Sequence, residues 1–157
     1  MTFRNNVTRL LDARGVAYEV FEMPPEQHSA EETAVLLGVP EHFVYKTLVV
    51  LRETKGKKPL LVLTPAGREL NLKSLASALG EKKLHMAAQR EAESLTGLQV
   101  GGISALALLN RGFEVCLDKA AQALPYIHIS AGQRGANLRL QVADLVKLTN
   151  AKIVETV

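Results

Sequence analysis

Cysteine, aromatic residues and long apolar runs are all scarce in this chain of 157 residues. The single cysteine, Cys116, cannot form a disulfide within the chain, so the sequence predicts a reducing, cytoplasmic environment. Phe, Tyr and Trp together make up 4% of the residues, so the core must be built from Leu, Val, Ile and Ala. So few rings also argue against a protein that binds single-stranded nucleic acid by stacking many bases.

Charge of one sign is limited as well. The formal net charge of +3 permits contact with a polyanion without requiring it. Basic residues cluster at Lys55, Lys57 and Lys58 and at Lys82 and Lys83. A solvated hairpin tip and a helix exit are the favoured interpretation of these clusters, and a track for phosphates is the alternative. The sequence has no apolar leader and no apolar run of about 18 residues, so neither export nor membrane insertion is predicted. Without a linker or repeat, residues 1–157 are predicted to form a single domain.

The sequence contains no standard nucleophilic or metal-binding motif. Cys116 shares a predicted strand face with Glu114 and Asp118, and neighbouring carboxylates disfavour a reactive thiolate. The four histidines are scattered, which argues against a zinc site, and no G-x-S-x-G elbow occurs. No metal and no cofactor are therefore predicted. Any hydrolysis would depend on backbone donors, bound water and groups that the substrate supplies.

Apolar periodicity predicts short helices that alternate with short strands. The predicted helices contain residues 3–11, 29–38, 71–80, 88–95 and 144–148. The predicted strands cover residues 16–21, 43–51, 60–64, 113–117, 126–130, 137–141 and 152–154. Hairpin spacing mixed with short helices favours a mixed α/β, α+β-like fold, in which short helices surround a mostly antiparallel or mixed sheet. A doubly wound parallel fold is less compatible with this order.

The strand at residues 43–51 carries one charge in an otherwise apolar row. Lys46 alternates with Val44, Leu48 and Val50 on one face. Burying an unpaired ammonium costs on the order of several kcal/mol, so Lys46 needs an anionic partner, a cavity or access to water. Two interpretations stay open: an edge lysine whose stem lies on apolar surface, or a lysine that binds a phosphate in a pocket.

Two glycine-containing segments are candidates for binding an anion. In the segment from Gly97 to Ser104, the adjacent Gly101 and Gly102 would let the backbone approach a ligand and offer N–H groups to an oxyanion. A tight turn is the alternative, and it is favoured for an isolated glycine pair. In the second segment, the strand at 126–130 leads into a glycine-flanked Arg134, a plausible anion-binding rim, with a solvated hairpin as its alternative.

Four segments in order resemble the YbaK/EbsC family, the free-standing relatives of the editing domain of bacterial prolyl-tRNA synthetase. These segments are Val-Tyr-Lys-Thr-Leu-Val-Val at 44–50, Leu-Asn-Leu-Lys at 70–73, Thr-Gly-Leu-Gln-Val-Gly-Gly-Ile-Ser at 96–104 and Ser-Ala-Gly-Gln-Arg-Gly at 130–135. The resemblance implies a compact domain whose sheet curls around a pocket for the aminoacyl-adenosine end of tRNA. It also implies hydrolysis of mischarged tRNA, Cys-tRNA(Pro) or a related one, with prolyl-tRNA synthetase as a further candidate partner.

The resemblance also assigns residues to this reaction. Lys46 would hold the terminal nucleotide, and the backbone of Gly101, Gly102 and Ser104 would face the scissile carbonyl; Lys46, Gly101 and Gly102 are the implied catalytic residues. The implied substrate-binding residues are Thr47, Ile103, Ser104, His28, Ser130, Gly132, Arg134 and Asn137. In Cys-specific members, the resemblance implies attack by the substrate's own thiol.

At several positions the chain departs from the Cys-specific pattern. Met23 and His28 stand where aromatic residues are usual, Ala105 stands in place of proline, and Asn137 in place of an acidic residue. The segment at 29–32 resembles that of the EbsC-like and alanyl-editing branches. The amino acid that is removed therefore stays open. A non-catalytic tRNA- or synthetase-binding module and a nucleotide-binding regulator are the alternative functions.

Overall fold

In the computed structural model, which describes residues 3–26 and 28–157, eight strands form two sheets. The strands are β1 (Tyr18–Glu22), β2 (Tyr45–Arg52), β3 (Leu60–Pro65), β4 (Leu84–Met86), β5 (Glu114–Asp118), β6 (Tyr126–Ser130), β7 (Ala136–Gln141) and β8 (Lys152–Val154). The α-helices are α1 (Asn6–Ala13), α2 (Ala30–Leu37), α3 (Leu72–Leu79), α4 (Gln89–Thr96) and α5 (Val142–Thr149). Short 3-10 helices occupy Glu41–Phe43, Leu106–Leu108 and Lys119–Ala123.

The two sheets differ in strand direction. The smaller sheet has the order β1-β7-β6 and is antiparallel throughout. The larger has the order β4-β2-β3-β5-β8, in which β2 pairs antiparallel with β3 and β4, while β3, β5 and β8 run parallel. The predicted mixed α/β architecture with short helices around antiparallel and mixed sheets is confirmed.

Local sequence explains where the elements begin and end, and where the predicted bounds shift. Helix α1 begins at Asn6 because Oδ1 of Asn5 accepts a hydrogen bond from the Thr8 amide, 3.0 Å away. Phe3, predicted as the first residue of this helix, lies before it and packs against the core. Strand β4 was not predicted, because its three residues are too few to show an alternating pattern and its pairing with β2 defines it.

The core lies on both sides of the larger sheet. Strand β3 is buried along its whole length: Leu61 and Leu63 face the main core between the two sheets, while Leu60 and Val62 face a second core beneath α3. A strand covered on both faces reads as a continuous apolar run, as this one does. Among the helices of the described residues, none is long and apolar enough to cross a membrane.

One isolated β-bridge connects the two sheets beside the candidate site. Val44, just before β2, pairs in parallel with His128 in the middle of β6. The bridge brings the beginning of β2, where Lys46 lies, next to the smaller sheet and its β6–β7 loop. Cross-sheet contact at this point creates the cavity described next.

Candidate active site

A cavity of about 380 Å³ lies between the beginning of β2, the N-terminal turn of α2 and the loops at 100–103 and 130–137. It collects eight of the eleven residues that the sequence assigns to a site. These are His28, Lys46, Thr47, Gly101, Ile103, Ser130, Arg134 and Asn137. The remaining three, Gly102, Ser104 and Gly132, do not line it.

Lys46 forms part of the cavity wall from its position on β2, opposite Thr64 of β3. Its side chain is partly exposed, and no ion pair or hydrogen bond joins it to the parts of the chain that the structure describes. Lys46 and Gly101 therefore share one cavity, the arrangement required by the phosphate-binding interpretation. The ammonium group is available to a ligand there.

Gly102 holds two loops together instead of facing the cavity. A Cβ atom at this position would lie 2.8 Å from both the backbone nitrogen of Arg134 and Cα of Gln133, closer than real contacts allow. The Gly102 amide donates a hydrogen bond to the carbonyl of Gln99 at 2.8 Å. Gly102 is thus needed for the close approach of the loops, and its N–H group is already used.

Two backbone amides of the same loop have no acceptor among the described residues. Gly101 and Ile103 both line the cavity, and neither N–H donates to an acceptor among residues 3–26 and 28–157. Ser104 is buried, and its Oγ accepts a hydrogen bond from the Leu106 amide at 3.1 Å, so it starts the following 3-10 helix. The available donors are therefore Gly101 and Ile103.

Arg134 connects the two glycine-containing loops. Its Nε donates to the carbonyl of Val100 at 2.7 Å, and its side chain lies over Gly101. Ser130 accepts a hydrogen bond from the Gly132 amide at 3.1 Å, while Gly132 has a φ of +101° and packs against Val7. Gly132 thus shapes the turn from behind the cavity wall.

The N-terminal end of α2 closes another side of the cavity. Ser29 caps this helix: its Oγ accepts from the Glu32 amide at 3.0 Å, and Glu32 accepts from the Ser29 amide at 2.9 Å. The hydrogen bond that the Ser29 amide donates to the Glu32 carboxylate lowers the pKa of Glu32, and the Ser29 side chain adds to the shift. Ser29, Ala30 and Thr33 line the cavity, so the partial positive charge of the helix N-terminus favours an anion there.

Two residues of the cavity wall, Glu26 and Tyr45, have no signal in the sequence patterns. Glu26 is the acidic residue among the described lining residues, and Met23 lies beside it on the same loop. Tyr45 also lines the cavity, and burial raises the pKa of its hydroxyl to about 12, so it stays protonated at neutral pH. Glu26 lies in an irregular segment without periodicity, and Tyr45 lies in an apolar strand. In both settings the sequence pattern does not distinguish a site residue from a structural one.

Asn137, which lines the cavity from β7, is bonded to a histidine behind it. Nδ1 of His128 lies 2.9 Å from Oδ1 of Asn137. Burial lowers the pKa of His128, because the charged ring would lose its hydration, so the ring is neutral at physiological pH. His128 is two residues before Ser130 and so shares its strand face, but no sequence motif assigns it a role.

Cys116 lies away from the cavity, in the second core beneath α3. Burial, followed by the nearby Glu114 carboxylate, raises the pKa of its thiol to about 11. A protonated, buried thiol does not act as a nucleophile. Within the described ranges, no three His, Cys, Asp or Glu side chains come close enough together to hold a metal ion.

The fold and the cavity together define a class: a small mixed α/β domain with a preformed pocket that offers an ammonium group, a helix N-terminus and free backbone amides to an anionic ligand. Residues 24–148 match the family model of the aminoacyl-tRNA editing domain, and the chain belongs to that family. The family resemblance of the sequence motifs is confirmed. The family consists of editing deacylases that act on aminoacyl-tRNA.

Known relatives agree with this assignment. The chain is 34% identical over 154 residues to a protein of Enterococcus faecalis that carries the provisional name Cys-tRNA(Pro)/Cys-tRNA(Cys) deacylase EbsC; the match covers 97% of this chain and 92% of that one. It is also 34% identical to part of the proline–tRNA ligase of Nitratidesulfovibrio vulgaris, over 62% of this chain and 17% of the ligase. A crystal structure provisionally assigned as a trans-editing enzyme for prolyl-tRNA synthetase superimposes with a TM-score of 0.82 at 25% identity, over 99% of this chain and 98% of that one.

Proposed function

We propose that the protein hydrolyses the ester bond of a mischarged tRNA, Cys-tRNA(Pro) or a related aminoacyl-tRNA, and releases the free amino acid and the tRNA. The observation that carries the proposal is the single cavity in which Lys46 and the free amides of the 100–103 loop meet. Family membership and the Cys-tRNA(Pro) name of the Enterococcus faecalis relative support it.

Lys46 binds the terminal nucleotide in this proposal. Its ammonium attracts the phosphate of the terminal adenosine, and the N-terminal turn of α2 adds a further favourable interaction with that charge. Arg134 holds the opposing loop against Val100 and so fixes the distance between the nucleotide and the amides. Binding in this geometry would bring the ester carbonyl to the loop without help from a protein nucleophile.

The amides of Gly101 and Ile103 act on the carbonyl oxygen. As water attacks the ester carbon, negative charge develops on that oxygen, and preorganised N–H donors stabilise it. We propose these two donors in place of the Gly101–Gly102 pair, because the Gly102 amide is bonded to Gln99. Collapse of the intermediate breaks the bond to the ribose oxygen, which takes up a proton.

With a cysteinyl ester, the substrate's own thiol can replace water in the first step. The sulfur bonds to the ester carbon, the bond to the ribose oxygen breaks, and that oxygen takes the thiol proton. Water then opens the resulting thiolactone to free cysteine. This route is consistent with Cys116 being buried and remote from the cavity.

A deacylation panel tests the proposal. Purified protein is incubated with tRNA(Pro) charged with Cys, Ala, Ser or Pro, and the release of amino acid is followed. We expect release from at least one mischarged tRNA and the slowest release from Pro-tRNA(Pro). Equal rates for the Cys and Ser esters would reject the thiol route. Binding of all four without any release would show a tRNA-binding module instead of an enzyme.

A further inference from the structure

His128 is a fully buried histidine that reaches the cavity through one other residue. Its ring is 0% exposed, and Nδ1 contacts Oδ1 of Asn137 at 2.9 Å. Asn137 is 5% exposed and lines the cavity. On the other side of the ring, Nε2 is buried without a hydrogen-bond partner among the described residues.

These contacts determine which nitrogen of His128 carries the proton. An amide oxygen can only accept, so Nδ1 must donate to Asn137 and Nε2 is left bare in the neutral ring. The reversed amide would require a proton on Nε2, which has no acceptor among the described residues; the rings of Phe21 and Tyr126 pack against the imidazole. A buried N–H group without an acceptor is rarer in proteins than a buried acceptor without a donor.

We propose that His128 is a positioning residue: it holds the Asn137 carbonyl, so that the Asn137 amide nitrogen donates a hydrogen bond to an oxygen of the aminoacyl-adenosine end in the cavity. The role of the substrate in this inference rests on the proposed function. Asn137 pairs with Phe21 on β1 and with Ser130 on β6, so its backbone is held from both sides in the central strand of the smaller sheet. Rotation of its side-chain amide is the main freedom that remains. The ring removes that freedom.

The consequence is a fixed polarity at this wall of the cavity. Asn137 offers a donor, whereas a carboxylate at the same position would offer only acceptors. A donor favours ester, hydroxyl or ribose oxygens and disfavours an ammonium group. His128 and Asn137 together therefore select the part of the substrate that lies against β7.

Nitrogen NMR of the isotope-labelled protein tests the orientation directly. We expect His128 to show a protonated Nδ1 and a bare Nε2, and the Asn137 side-chain amide to shift when a non-hydrolysable aminoacyl-adenosine is added. A proton on Nε2 would overturn the proposal, because Asn137 would then turn its nitrogen toward the ring. The tautomer is read without turnover, so this outcome is independent of whether the protein deacylates tRNA.

Three substitutions separate the hydrogen bond from the volume of the ring. In H128N the amide nitrogen takes the position of Nδ1, in H128Q it takes that of Nε2, and H128F keeps only the ring. We expect KM to rise about 3- to 10-fold in H128F and H128Q, the loss of one hydrogen bond, with little change in kcat and with partial restoration in H128N. A wild-type KM in H128F would overturn the proposal.

A double-mutant cycle and a stability control complete the test. N137A should raise KM as H128F does, and the double variant should show no further increase; additive effects would contradict the coupling. Ile129, the next residue on β6, is buried on the opposite face, so I129V lowers stability without touching Asn137 and should leave KM unchanged. Absence of turnover in the wild type would instead refute the proposed function, a result distinct from unchanged kinetics in the variants.

Discussion

At the scale of single residues, Lys46 shows how a charge can be kept in an apolar strand. Its neighbours Tyr45 and Val49 are buried in the main core, while Lys46 itself emerges into the cavity. The ammonium is thus held at the cavity wall by the strand, and it has no partner in the described parts of the chain to compete with a ligand. We therefore expect Lys46 to contribute to ligand binding more than to folding.

Replacing Lys46 by methionine, which keeps the apolar stem and removes the charge, should therefore reduce deacylation far more than stability. We expect kcat/KM to fall about 10- to 100-fold, the loss of one charge-assisted contact, with an unchanged urea midpoint. Lys152, exposed on β8 and outside the cavity, provides the matched control K152M, which should keep full activity. Full activity in K46M would remove Lys46 from the proposed mechanism.

At the scale of elements, α2 depends on its cap more than on its packing. Only Ala34 of this helix is buried, and Val35 and Leu36 are exposed. The mutual hydrogen bonds of Ser29 and Glu32 therefore carry much of the stability of the turn that lines the cavity. Helix α3 has a simpler cap, in which Oδ1 of Asn71 accepts a hydrogen bond from the Ser74 amide at 3.0 Å, and no described residue of α3 lines the cavity.

The two caps give a matched pair of substitutions. S29A and N71A should each cost about 1 kcal/mol of stability, but only S29A should raise the KM for aminoacyl-tRNA, because only α2 borders the cavity. Amide hydrogen exchange should accelerate at 30–33 in S29A. Equal effects of both variants on KM would show that the α2 turn has no direct part in binding.

The same cap has a pH dependence that follows from Glu32. The pKa of Glu32 is lowered in the folded protein. The stabilisation that its carboxylate gives to the cap is therefore present above the pKa of the unfolded state, and it is lost as the pH falls through the pKa of the folded state. We expect hydrogen exchange at 30–33 to accelerate in acid in the wild type. In E32Q, whose side chain does not titrate, this acid-dependent change should largely disappear; its persistence would assign the pH effect to another group.

At the scale of the whole molecule, a buried carboxylate bonds the segment that follows the last strand to the rest of the fold. Asp118 is 2% exposed and accepts hydrogen bonds from the amide and hydroxyl of Thr156, at 2.8 and 2.7 Å, and from the Ala120 amide at 2.9 Å. The Thr156 hydroxyl also meets that of Thr64 on β3 at 2.7 Å. The network joins β3, β5 and the segment after β8.

D118N should therefore destabilise the whole fold. The amide nitrogen of Asn would face either the Ala120 N–H or the two Thr156 donors, and the remaining hydrogen bonds would lose the charge that strengthens them. We therefore expect the free energy of unfolding, measured in urea, to fall by about 3 kcal/mol. D144N, on the N-terminal turn of α5, removes a carboxylate for which the structure shows no hydrogen bond to the described residues, and it should cost less than about 1 kcal/mol. Similar losses in both variants would contradict the role of the network.

Sequence patterns predicted most of the elements, because alternating and helical periodicities are strong in β2, β3 and α3. They also indicated the segments that form the cavity. They did not distinguish Gly101, which lines the cavity, from Gly102, which lets Gln133 and Arg134 approach, since both are glycines in one turn. The link between His128 and Asn137 depends on strand pairing, which periodicity alone does not determine.

The burial of Cys116 has a practical consequence. Because the only thiol of the chain is protonated and enclosed, a cysteine introduced on the surface would be the one group that reacts with a maleimide dye in the native protein. Position 31, exposed on α2 beside the cavity entrance, would carry such a dye without any other substitution. Its fluorescence would report the arrival of the tRNA terminus in real time, separately from the chemistry that follows.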